Sequence, residues 1–171
     1  MLPKTLKNFN LFIEGQGYAG VVEELTLPKL SRKTEEYRGG GMNGEVEIDL
    51  GMEKLEMEFT LREYSREVLD HWGVCDLAGV GLRMLGAAVR DDSTCETDTI
   101  EVVVRGRWRE LDFDSAKSGE MGTMKVMVAV SYYKYLINGD AVIEIDHANM
   151  IEKVNGIDRL EGQRKALSMN S

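Results

Sequence analysis

Residues 45–61 read EVEIDLGMEKLEMEFTL, and two alternations meet inside them. In EVEIDL, Val46, Ile48 and Leu50 fall on one side, with Glu45, Glu47 and Asp49 on the other. In LEMEFTL, Leu55, Met57, Phe59 and Leu61 oppose Glu56, Glu58 and Thr60. A period of two marks a half-buried strand, because successive side chains leave opposite faces of the pleat. The intervening GMEK predicts a turn that folds the two strands into a hairpin. That pairing gathers Glu45, Glu47, Asp49, Glu56 and Glu58 on one face, with Lys54 as the nearby cation. Like charges directly opposite one another cost roughly 0.2–1 kcal/mol per pair. The face therefore reads either as a surface built not to hold something negative or as ordinary solubility.

The same period recurs outward in both directions. LFIEG, a glycine turn and GVVEELTL lie before the hairpin. VGLRMLGAAVR, residues 80–90, is apolar with looser patterning. In TIEVVVRGRWREL, Ile100, Val102, Val104 and Trp108 oppose Glu101, Arg105, Arg107 and Arg109. TMKVMVAVSYYKYLI is long and rich in β-branched and aromatic residues, which favour strands. Asn138-Gly139 then predicts a type I′ turn, with AVIEID returning as the partner strand. One helix is expected at about 61–72: Thr60 and Glu63 make a capping box, Leu61, Tyr64, Val68 and Trp72 follow at helical spacing, and Gly73 stops it. A short C-terminal helix is expected from near Asp158 through RLEGQRKAL. The fold class is mainly β, a sandwich or small barrel with one flanking helix. Residues 91–98, DDSTCETD, read as a connecting loop.

The length of 171 residues suggests a single domain, 1–171, and an apolar content of 43% suits a globular chain rather than a disordered one. There is no apolar run of about eighteen residues that would cross a membrane, and MLPKTLKNFN lacks the apolar stretch of a signal peptide. Synthesis in the cytoplasm is the expectation. Cys75 and Cys95 form no CxxC pair and read as reduced thiols. His71 and Cys75 stand four apart, but one such pair is not a metal site. The formal charge of −9 argues against a protein that grips nucleic acid, which needs a basic groove. It does not argue against one that touches nucleic acid without holding it.

Two stretches, GQGYAG at 15–20 and GGGMNG at 39–44, match G-x-G-x-x-G, and Glu35 lies where a ribose-binding acid would follow the first. The motif binds pyrophosphate only between a strand and a helix N-terminus. Here an acidic strand follows one match, and β-branched residues and Pro28 follow the other. Nucleotide binding is excluded on that context. The carboxylates lie on alternating, solvent-facing positions, so no acid–base pair stands out and no catalytic residue is expected. A ligand-binding β-barrel is an alternative, with an enclosed apolar cavity that the ten methionines could line.

Longer strings carry more information. LPKTLKNFNLFIEG, LTLPKL, KTEEYRGGGM, IDLGMEKLE, AVSYYK and EIDHANMIEKVNGIDRLEGQR together resemble the major tail tube proteins of contractile-tailed bacteriophages and the related tubes of R-type pyocins. The resemblance runs from residue 1 to about 167 and is weakest over 74–100. It implies a structural virion protein without catalysis, cofactor or metal. It further implies hexameric rings whose inner sheets join into one β-barrel, stacked as the inner tube through which DNA is ejected. The implied partners are further copies of the chain, the sheath, the baseplate and tape-measure proteins and the tail terminator. DNA would pass without sequence-specific contact, and this chain would not insert into a membrane. The implied location is the virion tail tube, after assembly in the host cytoplasm. An extended hairpin loop is expected around 31–50. Its tip, Tyr37, Arg38, Gly39, Gly40, Gly41, Met42, Asn43 and Gly44, is expected to reach between stacked rings and to order there. Glu45, Glu47, Asp49, Glu56 and Glu58 are candidate lumen-facing acids.

Overall fold

A computed structural model describes residues 1–169. In chain order it runs β1 (Lys4–Ile13), β2 (Gln16–Gly17), β3 (Val22–Thr26), β4 (Arg32–Tyr37), β5 (Val46–Met52), β6 (Leu55–Leu61) and α1 (Arg66–Leu69). There follow β7 (Val80–Arg90), β8 (Thr97–Asp112), β9 (Met124–Ile137), β10 (Asp140–Asp146), β11 (Ile151–Val154), β12 (Ile157–Asp158) and α2 (Glu161–Ala166). All pairing is antiparallel. β8 and β9 are the longest strands, at 16 and 14 residues, and each belongs to two sheets. The first half of β9 pairs with β6 and the second half with β10. β8 follows β9 along both halves but pairs with β7 only as far as Gly106.

The change of sheet is marked by bulges at Arg105/Gly106 and Trp108/Glu110. Bulges bend a strand and raise its twist, which lets it turn a sandwich corner. One sheet is then β3-β6-β9-β8, and the other runs β2-β1-β7-β8-β9-β10-β11-β12. Alternation supplies the core between them. Leu55, Met57, Phe59 and Leu61 point in from β6, and Val102, Val104 and Trp108 from β8. Met124, Val126 and Val128 come from β9, with Leu11, Leu82 and Met84 from the opposite sheet. The Trp108 indole N–H donates to the Val68 carbonyl at 2.8 Å, and its ring meets Phe59 edge-on at 5.6 Å. The C-terminal helix forms as expected, held by the Arg164 guanidinium on Asp158 and on the Met150 carbonyl. Asn138 and Gly139 both take positive φ, the type I′ geometry, between β9 and β10.

Three expectations change. No ladder joins β1 to β3 among the described residues, so the sheet does not close into a barrel. The flanking helix at 61–72 is a single turn, Arg66–Leu69. Thr60 and Leu61 remain in β6, paired on both sides, and Leu61 is fully buried. That burial outweighs the capping signal, and Ser65 stands at the N-cap instead. Finally, β5 does not pair with β6. β5 pairs with β4, while β6 lies between β3 and β9. The apolar face of β6 needs the long apolar strand β9 to bury it, and a charged ribbon could not do so.

The corner tolerates nothing larger than glycine. A Cβ on Gly106 would sit 2.3 Å from the Ala129 carbonyl oxygen. Overpacking of this kind typically costs about 1–3 kcal/mol. Gly106→Ala is therefore expected to lower the free energy of unfolding by about that amount, seen as a lower urea midpoint with the dependence on denaturant unchanged.

Candidate functional site

Two features of the chain are unfinished as they stand. The first is the β4–β5 hairpin, a ribbon whose two strands pair only with each other. Directly opposite residues share a face. Tyr37 with Val46, and Glu35 with Ile48, lie on one side, and Leu50 continues the alternation. Glu36 with Glu47, and Thr34 with Asp49, lie on the other. The arm is thus amphipathic in open solvent: Tyr37, Val46, Ile48 and Leu50 are each 46–56% exposed. Residues 38–45 form its tip. There Met42 N–H donates to the Gly39 carbonyl at 3.2 Å, Arg38 Nε donates to the Met42 carbonyl at 3.3 Å, and Gly41 takes φ +86°. The tip is closed by its own bonds.

At its root the arm is tied down. The Arg32 guanidinium pairs with Glu152, whose carboxylate is buried in β11, and lies 3.5 Å from Asp49. Glu53 N–H donates to the Ser31 carbonyl at 2.8 Å. A bulge between Arg32 and Thr34, with Gly51 at φ +110°, turns the ribbon away from the body. Sequence reasoning missed this anchor. Arg32 and Glu152 are 120 residues apart, and no local pattern couples them.

The second feature is a pair of strand edges. β3 pairs with β6 on one side only, and β8 beyond Gly106 pairs with β9 on one side only. Reading across the sheet, Thr26, Glu58, Met127 and Glu110 form one row pointing away from the core. Thr60, Lys125 and Asp112 form the next, with Glu24 at its end. Glu56 stands on the same face, paired with Lys54 at 3.1 Å and Arg109 at 2.6 Å. The hydrogen bond from Lys54, and then the charge of Arg109, hold the Glu56 carboxyl below its ordinary value despite partial desolvation. The five candidate acids therefore divide: Glu56 and Glu58 on the body, Glu47 and Asp49 on the acidic side of the arm, and Glu45 at its tip. The body face is mixed rather than uniformly acidic, since Lys125, Arg107 and Arg109 share it.

A family model described as phage tail tube protein FII matches residues 3–167. The chain belongs to that family. It is 42% identical to the tail tube protein of Escherichia phage P2, across 98% of this chain and 99% of that protein. It is 34% identical to the major tail tube protein of Serratia phage KSP20, across 91% and 90%. In solved structures the fold is similar to a sheath/tube terminator of an extracellular contractile injection system (TM-score 0.60, 13% identity, 80% of this chain and 98% of that one). The sheath–tube complex of such a system also aligns (TM-score 0.57, 9% identity, 78% and 91%). This tail tube protein is structural and not an enzyme. A ligand-binding barrel gains no support from the geometry, because Met57, Phe59, Met84, Trp108 and Met124 fill the space between the sheets.

Glu152→Ala leaves Asp49, at 3.5 Å, as the remaining acidic partner of Arg32 at the arm root. Because Arg32 is partly exposed, the cost is expected to be about 1–2 kcal/mol rather than that of a fully buried pair. Hydrogen exchange should accelerate across Arg32–Tyr37 and Val46–Met52 and stay unchanged in β8 and β9. Unchanged exchange in the arm would remove the anchor from the account.

Proposed function

We propose that the chain forms hexameric rings, stacked as the inner tube of a contractile phage tail, and that the β3-β6-β9-β8 sheets of a ring join into one barrel. One observation carries this reading: the sheet ends in two free edges that run in opposite directions. β3 runs with β9 and against β8. Copies related by rotation about an axis along the strands would thus set β3 of one against β8 of the next in antiparallel register, the arrangement that closes a barrel without edges. The remaining strands of each copy lie on the core side of this sheet. Only the outside of a closed barrel has room for them, so the face bearing Glu56, Glu58, Glu110 and Asp112 becomes the lumen wall.

On that wall Glu56 pairs with both Lys54 and Arg109, Lys125 shares a shallow depression with Glu58, Glu110 and Asp112, and Arg107 adds a fourth cation. The wall's cations are interspersed with acids and form no continuous basic stripe that would release a phosphate chain's counterions, so DNA passes without being held. Glu45, Glu47 and Asp49 ride on the arm and lie outside this wall. The arm, tipped by Tyr37–Gly44, bridges to the next ring. Sheath, baseplate, tape-measure and terminator proteins are the partners of the finished tube, and assembly takes place in the host cytoplasm before the chain enters the virion.

The test is a disulfide scan in a chain carrying Cys75→Ser and Cys95→Ser. Glu24→Cys is combined in turn with Arg109→Cys, Glu110→Cys, Leu111→Cys or Asp112→Cys. Oxidation of assembled particles should give, for one combination, a ladder of covalent oligomers ending at the hexamer, with sixfold rings in electron micrographs. Rings that form but link through none of these positions would reject the edge pairing.

A further inference from the structure

We infer that the apolar side of the arm seats on a second copy of the chain, on an exposed patch formed by Tyr64, Phe113 and Met121. The inference rests on the tube reading and names the surface that receives the arm.

The patch is built by two loops at one end of the four-stranded sheet. Leu61 pairs with Met124 and Asp112 with Lys125, so residues 62–65 and 113–123 leave the sheet at the same end. They are fastened together there. Arg62 donates to the Thr123 hydroxyl at 3.0 Å, and the Tyr64 and Phe113 rings lie 6.0 Å apart. Yet Tyr64 is 53% exposed, Phe113 45% and Met121 70%. Two aromatic rings held together in solvent, with Met121 exposed on the same loop as Phe113, make an interaction surface rather than scattered exposure.

The arm leaves the opposite end of the same sheet. Its root joins Thr26 of β3 to Leu55 of β6, and Leu55 pairs with Val130, the far end of the β6–β9 ladder from Met124. Arm and patch are thus separated along the strands by the length of β6, roughly 20 Å at about 3.3 Å per residue. A donor surface at one end and an acceptor surface at the other define a head-to-tail contact. Repeated by translation, such a contact does not close, and it builds a filament.

Charge selects which side of the arm docks. The loop bearing the patch carries Asp112, Asp114 and Glu120 against Lys117. The arm side bearing Glu36, Glu47 and Asp49 would be repelled by that rim. The apolar side carries one charge of each sign, Lys33 and Glu35 by alternation, and meets no such net repulsion.

The test uses purified rings of three kinds: wild type, Ile48→Asp in the arm, and Phe113→Asp/Met121→Asp in the patch. Both variants should form rings while raising the critical concentration for tube growth about tenfold or more, the effect of losing one buried apolar side chain. Mixing the two variant rings should yield stacked pairs, since one still receives and the other still donates. Tubes of normal length from the patch variant would overturn this inference and leave the tube reading standing. Failure of the wild-type chain to form rings would overturn both. Val46→Cys with Met121→Cys, in the chain lacking Cys75 and Cys95, provides a second measurement that does not depend on a disruptive variant. Oxidised tubes should link copies of successive rings, and well-formed tubes without that link would also reject the patch.

Discussion

The bend in β8 and β9 is the constraint on which the rest of the structure depends. Gly106 lies against the Ala129 carbonyl, and bulges on either side let the two longest strands leave one sheet and enter the other. β7 can follow β8 only as far as that corner, where Val80 pairs with Gly106. Everything beyond it on β8 is therefore left with one free edge. The same bend divides β9 between β6 and β10, so the four-stranded sheet ends at β3 with a second free edge. The open edges arise directly from the way one core is closed by two strands serving two sheets.

The arm answers to a different constraint. A two-stranded ribbon without a packed face is at best marginally stable in water. Here the ladder of β4 and β5 is held at its root by Arg32 on buried Glu152 and by the Ser31–Glu53 hydrogen bond. Its apolar side has no partner among the described residues of the same chain. The net charge of −9, with Glu36, Glu47 and Asp49 on the other side of the ribbon, supports solubility until that side is covered.

Most of the fold was legible as alternation, because a strand buried on one face must alternate. β7, β9 and β10 fall within a residue or two of the runs that predicted them, and the burial of Val102, Val104 and Trp108 follows the pattern of β8. What alternation cannot give is the partner. EVEIDL and LEMEFTL carry the same signal, yet Phe59 is fully buried and Ile48 is 46% exposed. The difference lies in β9, more than sixty residues further along the chain, which has one neighbouring place to fill and takes β6. The helix expected at 61–72 is cut to Arg66–Leu69 for the same reason. Thr60 and Glu63 satisfy a local rule, but a strand paired on both sides sets Thr60 beyond its reach. The candidate acids were found as residues but grouped by a pairing that does not form. The Arg32–Glu152 anchor had no sequence signal at all.

Free edges are hazardous in a monomer, since any exposed strand can serve as a template for another. The charges on these two edges bias the outcome. Pairing β3 with a second β3 brings Glu23 and Glu24 of both copies together, at a cost of roughly 0.2–1 kcal/mol for each like-charged pair. The β8 edge offers Arg107 and Arg109 as well as Glu110 and Asp112. Laid side by side without offset, Glu24 would stand level with Asp112, an unfavourable match. Closing a barrel requires strands to tilt and the register to shift. A shift that carries Glu24 toward Arg109 exchanges repulsion for attraction. In the ring reading, a stagger of that sign would serve both barrel closure and charge matching.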